Sequence, residues 1–249
     1  MQPKHTPGKQ LLMLVGIYAC CMFIGQIMAE FILLSYYGVE IETLEDLDPI
    51  VILSVSAMGH FFAHIVTFLV FLRMTGQTFQ NIFPKSKFTA FVLITIPILA
   101  LLGIIGSALL SELSLKIFEN NGFYSVIESA NKQQETMTHL LVHDNPLQFV
   151  LSLFALCALP AVGEEFIYRG ILQSRIMAAT HDRHFSVIIA SLIFAAMHFQ
   201  PVNMLSIALL GLVLGYLYSY TKNIWYCVIL HFLVNAIQVV QLYFLPEGI

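Results

Sequence analysis

The chain has 249 residues, 58% of them hydrophobic and 10% charged, with a formal net charge of −4. A soluble domain of this size carries roughly 25% charged residues, so a water-facing globule is excluded. The sequence holds no basic stripe, Gly-rich phosphate loop or low-complexity tract, and no nucleic-acid partner is expected.

The apolar residues fall in runs, each near the ~20 residues that cross a bilayer core. The fold class is all-α, a polytopic transmembrane helical bundle forming one structural domain. The predicted spans are, in chain order, about 11–37, 49–72, 88–111, 147–174, 185–200, 202–221 and 223–245. The first ten residues are polar and basic, but the run after them is too long for a signal-peptide core, so a retained first span is expected. Pro49, Pro146 and Pro201 stand at or just before span starts, where a missing N–H costs little. The polar stretch 112–145 predicts one or two amphipathic surface helices broken at Asn120-Asn121-Gly122, and leaves room for an eighth, re-entrant or interfacial segment. His139 and His143 within it are four apart and are read as a solvated helix face rather than a metal site. Cys20, Cys21, Cys157 and Cys227 all lie in apolar runs and are expected to pack in the core.

Lys and Arg set the orientation. With the N-terminus inside, nine of the eleven fall on the cytoplasmic side, and Lys116 and Lys132 fall outside. The acids go the other way, ten of fifteen lying in "VEIETLEDLD" and the 112–145 loop. The expected protein is integral and multi-pass, with a cytoplasmic N-terminus and an extracytoplasmic C-terminus.

Ionisable groups inside spans are functional candidates. Glu30 lies near the outer end of the first span and can reach the interface. His60 and His64 share a face of the second span and are read as a helix–helix hydrogen-bond pair, a gate or accessory contact being the alternative. The last four spans differ. Glu164 lies roughly 16 Å in from Arg175, His198 roughly 20 Å from Phe185 and His231 roughly 12 Å from Asn223, at ~1.5 Å per residue. All three reach mid-depth of a core ~30 Å thick. Glu165 and Arg169 are i, i+4 and can pair on one helix face, while Glu164 points about 100° away. His231 and Asn235 are also i, i+4 and aim into one cavity. Pro160 leaves the Leu156 carbonyl without its helical bond, which is tolerated where a cavity is lined. Gly211 and Gly215 form a GxxxG packing face. A carboxylate beside imidazoles suits hydrolysis: Glu takes a proton from water, one His shares that water or ligates a metal, and a further His and Asn donate to an oxyanion. A polar network that only joins helices or relays protons is the alternative at this point.

"EEFIYR", "FAAMH" and "HFLVN" fit the motifs EExxxR, FxxxH and HxxxN in that order. Over about residues 147–240 the chain resembles the CPBP intramembrane proteases, which include the type II CAAX prenyl endopeptidase (Ras-converting enzyme) and bacteriocin-immunity proteins. The resemblance implies a CPBP-like catalytic helical core in the last four spans, residues 147–245. Residues 1–146 then supply N-terminal spans and the extracytoplasmic loop at 112–145. It implies that Glu164 is the general base, working with His198 on the attacking water. His231 and Asn235 would stabilise the oxyanion. Glu165 and Arg169 would fix the helix, with Phe194 in support. The implied function is an intramembrane endopeptidase acting on a membrane-anchored peptide or protein substrate, CAAX-type prenylated chains included. A metal, if used, would be Zn²⁺ on Glu164, His198 and His231; a metal-free glutamate mechanism is the other option. The rivals are a catalytically idle immunity or scaffold protein and a proton-coupled transporter. The transporter predicts an internal repeat, and none is found.

Overall fold

The computed structural model describes residues 5–38, 48–141 and 145–244, without the side chains of residues 139 and 140. Eight helices account for most of them: α1 (Pro7–Tyr37), α2 (Pro49–Thr75), α3 (Ala90–Asn120), α4 (Tyr124–Leu141), α5 (Pro146–Thr180), α6 (Arg183–Ala196), α7 (Met204–Thr221) and α8 (Ile224–Phe244). No strand occurs among the described residues.

Local chemistry sets the helix ends. Asp48, Asn145 and Asp182 each accept a backbone N–H of the following turn through a side-chain oxygen, at 2.8, 3.0 and 3.0 Å. Pro occupies the first helical position of α1, α2 and α5, where its missing N–H has no partner to lose. At the far ends, α2 closes on Gly76 and α5 on His181, both with left-handed backbone.

Six helices are long and apolar enough to cross a membrane: α1, α2, α3, α5, α7 and α8. The run expected at 185–200 becomes a shorter helix of 14 residues, about 21 Å long at 1.5 Å per residue. It stops at Ala196 because the chain turns over Met197–Asn203, with Phe199 at φ 52°. The third span, expected to end near 111, runs on to Asn120. The predicted break then falls at Asn121-Gly122, where Gly122 takes φ 74°. The amphipathic helix expected within 112–145 is α4. His143 lies outside the described residues, as does the side chain of His139.

Burial separates a lipid-facing rim from the centre. In the most apolar stretch of α3 only 17% of residues are buried, against 39% in α5 and in α8. Phe91, Ile94, Leu101 and Leu102 of α3 are exposed, as are Phe23 and Phe31 of α1. A lipid solvent accepts such side chains without cost. Cys21, Cys157 and Cys227 are buried as expected. Cys20 is exposed, because it faces outward on α1 one position from the buried Cys21.

Two close approaches hold the centre together. A Cβ built on Gly163 would lie 2.6 Å from the Cβ of His64, so only glycine lets α2 come this near to α5. On α7, Gly211 faces Ser191 and Gly215 faces Val187 and Gln173, which is the packing expected of the GxxxG face. Gln173 ties the same helices, donating to the Gly215 carbonyl and to Ser219 Oγ, each at 3.0 Å.

Candidate active site

Helix α5 carries both glutamates on the α-helical turn Leu159–Glu165, between two π-helical stretches, Leu153–Ala158 and Phe166–Gln173. A third π stretch, Phe61–Val66, lies in α2 against this turn. Such widenings gather at functional sites because they redirect side chains and release carbonyls from the regular ladder. The carbonyl of Leu156, four residues before Pro160, takes its hydrogen bond from Asn235 Nδ2 at 3.2 Å. Asn235 therefore repairs the interruption in α5, and its second N–H remains a donor.

Glu165 is fully buried. Its Oε1 meets Arg169 Nη1 at 3.2 Å and His231 Nδ1 at 2.9 Å. Arg169 Nη2 donates to the Gly211 carbonyl at 3.1 Å, and the guanidinium carbon stands 4.6 Å over the Phe194 ring. Phe194 also touches the rings of His198, His231 and Tyr168. The expected ion pair is present, and it anchors α5 to α7 as well as to itself.

Glu164 is also buried, but its surroundings differ. Oε1 is 3.7 Å from His60 Nδ1, and Oε2 is 4.0 Å from His198 Nε2 and 3.9 Å from His231 Nε2. All three distances exceed hydrogen-bond range, and Oε2 has no hydrogen-bond partner among the described residues. Separations of this size between polar atoms are spanned by one water.

The imidazoles are oriented by what their other nitrogen meets. His198 Nδ1 lies 2.7 Å from the Phe194 carbonyl, one of the acceptors left free at the end of α6. His231 Nδ1 faces the Glu165 carboxylate, and His64 Nδ1 lies 3.2 Å from the His60 carbonyl. Carbonyl and carboxylate oxygens only accept, so each Nδ1 carries the hydrogen. In a neutral ring Nε2 is then a lone pair, aimed at Glu164 from His198 and from His231. His64 Nε2 meets the Tyr18 hydroxyl at 3.1 Å.

A cavity of ≈ 450 Å³ opens on this cluster. Its wall includes Tyr18, Gly25 and Ala29 of α1, Ser56, His60 and His64 of α2, Glu164 and Tyr168 of α5, and Met197 and His198. The contacts above bring together the sequence-derived residues Glu164, His198, His231, Glu165, Arg169 and Phe194, with Asn235 one turn from His231 on α8, but only Glu164 and His198 of these line the cavity. His231 and Asn235 were expected to aim into one cavity; instead His231 turns to Glu165 and Asn235 to the Leu156 carbonyl. Glu30 does not join them: it is exposed and accepts a bond from Gln26 at 3.0 Å. His60, His64, Tyr18 and Tyr168 belong to the site and were not assigned to it from the sequence. The His60–His64 pair had a readable signal in its i, i+4 spacing; the two tyrosines had none.

For a metal, carboxylate and imidazole donors suit zinc. Among the described residues, the group whose ligand atoms all lie within 4.8 Å of one another is His60, His64 and Glu164. It shares Glu164 with the trio read from the sequence and takes its imidazoles from α2 instead.

Comparison with known proteins bears on residues 146–237, which match the family model of type II CAAX prenyl endopeptidase, Rce1-like. The uncharacterised protein YpbD of Bacillus subtilis (strain 168) is 31% identical over 93 residues, 36% of this chain and 44% of YpbD. The chain thus spans less than half the length of that relative. No solved structure matches. Six membrane-length helices and this family match support an integral, multi-pass membrane protein. The matched stretch, residues 146–237, holds all three motifs in order and is similar to the Rce1-like family.

Proposed function

We propose that the protein is an intramembrane endopeptidase that hydrolyses a peptide bond of a membrane-anchored substrate, CAAX-type prenylated chains included. One observation carries the reading. Glu164 stands buried with Oε2 free of hydrogen bonds among the described residues and the Nε2 atoms of His198 and His231 about one water away, while the neighbouring Glu165 is tied through Oε1 to Arg169 and His231.

In this reading water binds between Glu164 and His198. Its oxygen attacks the scissile carbonyl carbon as Glu164 takes its proton. The C–O π pair moves to the carbonyl oxygen. His231 holds Glu165 through Nδ1–H, and as an imidazolium it presents Nε2–H to that oxyanion. The second N–H of Asn235 assists. Collapse of the tetrahedral species breaks the C–N bond, and the proton on Glu164 passes to the leaving amine. With His231 protonated, two carboxylates face two cations, Arg169 and His231, so the buried cluster is neutral, as burial demands.

The catalytic core comprises residues 147–245, and α1 and α2 close its cavity. The Lys and Arg distribution supports a cytoplasmic N-terminus and an extracytoplasmic C-terminus. The test is cleavage of farnesylated and unmodified peptides by purified protein, with and without a chelator. Glu164→Gln is expected to abolish cleavage in a protein that still inserts and folds. Retained cleavage by that variant would sink the mechanism.

A further inference from the structure

His60 and His64 face the edge of Glu164 that the proposed hydrolysis leaves unused. The carboxylate has two sides: Oε2 looks toward His198 and His231, and Oε1 toward His60. The α2 imidazoles lie side by side, with ring centroids 5.5 Å apart at 21°. We propose that His60, His64 and Glu164 form a binding site for a zinc-class divalent ion, separate in its imidazoles from the hydrolytic pair.

Four observations carry it. The three ligand atoms lie within 4.8 Å of one another. In a tetrahedral site with Zn–N and Zn–O bonds of about 2.0–2.2 Å the ligand atoms stand about 3.4 Å apart, and His60 Nδ1 and Glu164 Oε1 are already at 3.7 Å. Second, His60 Nδ1 is buried with no hydrogen-bond partner, which leaves it free to ligate. Third, His64 Nδ1 donates to the His60 carbonyl, the outer contact that orients a metal-binding imidazole and leaves Nε2 as ligand. A metal would displace the Tyr18 hydroxyl that now meets that nitrogen. Fourth, the His60 side chain is 29% exposed to the cavity, which gives the ion a way in. Two imidazoles four residues apart on one helix plus a carboxylate from another make a three-ligand zinc set with a fourth position open.

A cation on Oε1 draws charge from the carboxylate and makes Oε2 a weaker base toward water. Zinc therefore inhibits cleavage; this sign rests on Glu164 being the base, whereas the site itself does not. The experiment uses full-length, chelator-treated protein in detergent, loaded with zinc chloride, desalted and assayed for bound metal. Wild type is expected to retain one zinc per chain. His60→Ala and His64→Ala should each retain at least tenfold less at the same free zinc, and His198→Ala as much as wild type. Cobalt(II) gives a second readout: visible bands of a tetrahedral site in wild type and His198→Ala, absent in His60→Ala. His64→Gln keeps a polar side chain near Tyr18 and covers the case in which His64→Ala fails to fold. Absence of zinc from wild type overturns the site. So does wild-type retention by the α2 variants, or loss from His198→Ala. Retained zinc with faster cleavage upholds the site and overturns Glu164 as the base.

Discussion

Arg169→Met is the most demanding probe of how the two glutamates differ. The substitution keeps side-chain length and removes the charge from a residue that is 1% exposed. Glu165, at 0% exposure, then keeps only the His231 contact. Removing one partner of a buried ion pair costs about 3–5 kcal/mol. The Gly211 carbonyl loses its bond to Nη2 but, lying inside α7, keeps its helical bond. The ion-pair term therefore sets the total, about 3–5 kcal/mol. At roughly 2–4 °C per kcal/mol for a chain of this length, the melting midpoint should fall by about 6–20 °C. The assay is thermal unfolding in detergent, followed by intrinsic fluorescence or a thiol probe, for wild type, Arg169→Met, Glu165→Gln and the double variant. Because the two side chains form one unit, the double should fall short of the sum of the singles by about 2 kcal/mol. A midpoint drop under about 3 °C, or additive single effects, would refute the pairing. Loss of cleavage with an unmoved midpoint would place Arg169 in substrate binding.

Three further outcomes can be read on the same instrument. Gly163→Ala sets a Cβ 2.6 Å from that of His64; it should cost about 1–3 kcal/mol through overpacking, and an unmoved midpoint would refute the close approach of α2 and α5. Asn235→Ala orphans the Leu156 carbonyl and should cost about 1–3 kcal/mol; Pro160→Ala returns a backbone N–H and should recover the midpoint, while cleavage stays low. Glu164→Gln removes a buried carboxylate that has no hydrogen bond on Oε2. Its midpoint should hold or rise by about 2–4 °C, as active-site replacements often do. A fall beyond about 5 °C would mark Glu164 as structural.

Spacing alone makes part of this legible. The i, i+4 relation of Glu165 and Arg169 implied their contact, and equal depth along separate spans implied that Glu164, His198 and His231 could meet. What spacing cannot state is which span lies against which. Periodicity describes one helix at a time, and α2 reaches α5 only because Gly163 has no side chain. His60 and His64 were thus readable as a pair and unreadable as neighbours of Glu164. The role of Asn235 was half legible. Pro160 exposed the Leu156 carbonyl in the sequence, but its partner stands 79 positions away on α8. The span expected at 185–200 is present as α6 but was placed too far along the chain at its end, because hydropathy continues through Met197 and Phe199, whereas the helix ends in the turn that presents His198.

Glu164 and Glu165 differ by one position and about 100° of helix rotation, and that rotation decides their chemistry. Glu165 turns toward α7 and α8, where Arg169 and His231 converge on one oxygen at 3.2 and 2.9 Å. Glu164 turns toward α2 and the end of α6, where each neighbouring nitrogen stops at 3.7–4.0 Å. A site shaped for stability alone would close that gap, since an unpaired buried charge costs several kcal/mol. The gap is too wide for a direct bond and too narrow for a peptide group. It admits one small species between carboxylate and imidazole. Water meets that requirement, and a nucleophile of that size makes the proposed reaction a hydrolysis rather than a transfer to a larger acceptor.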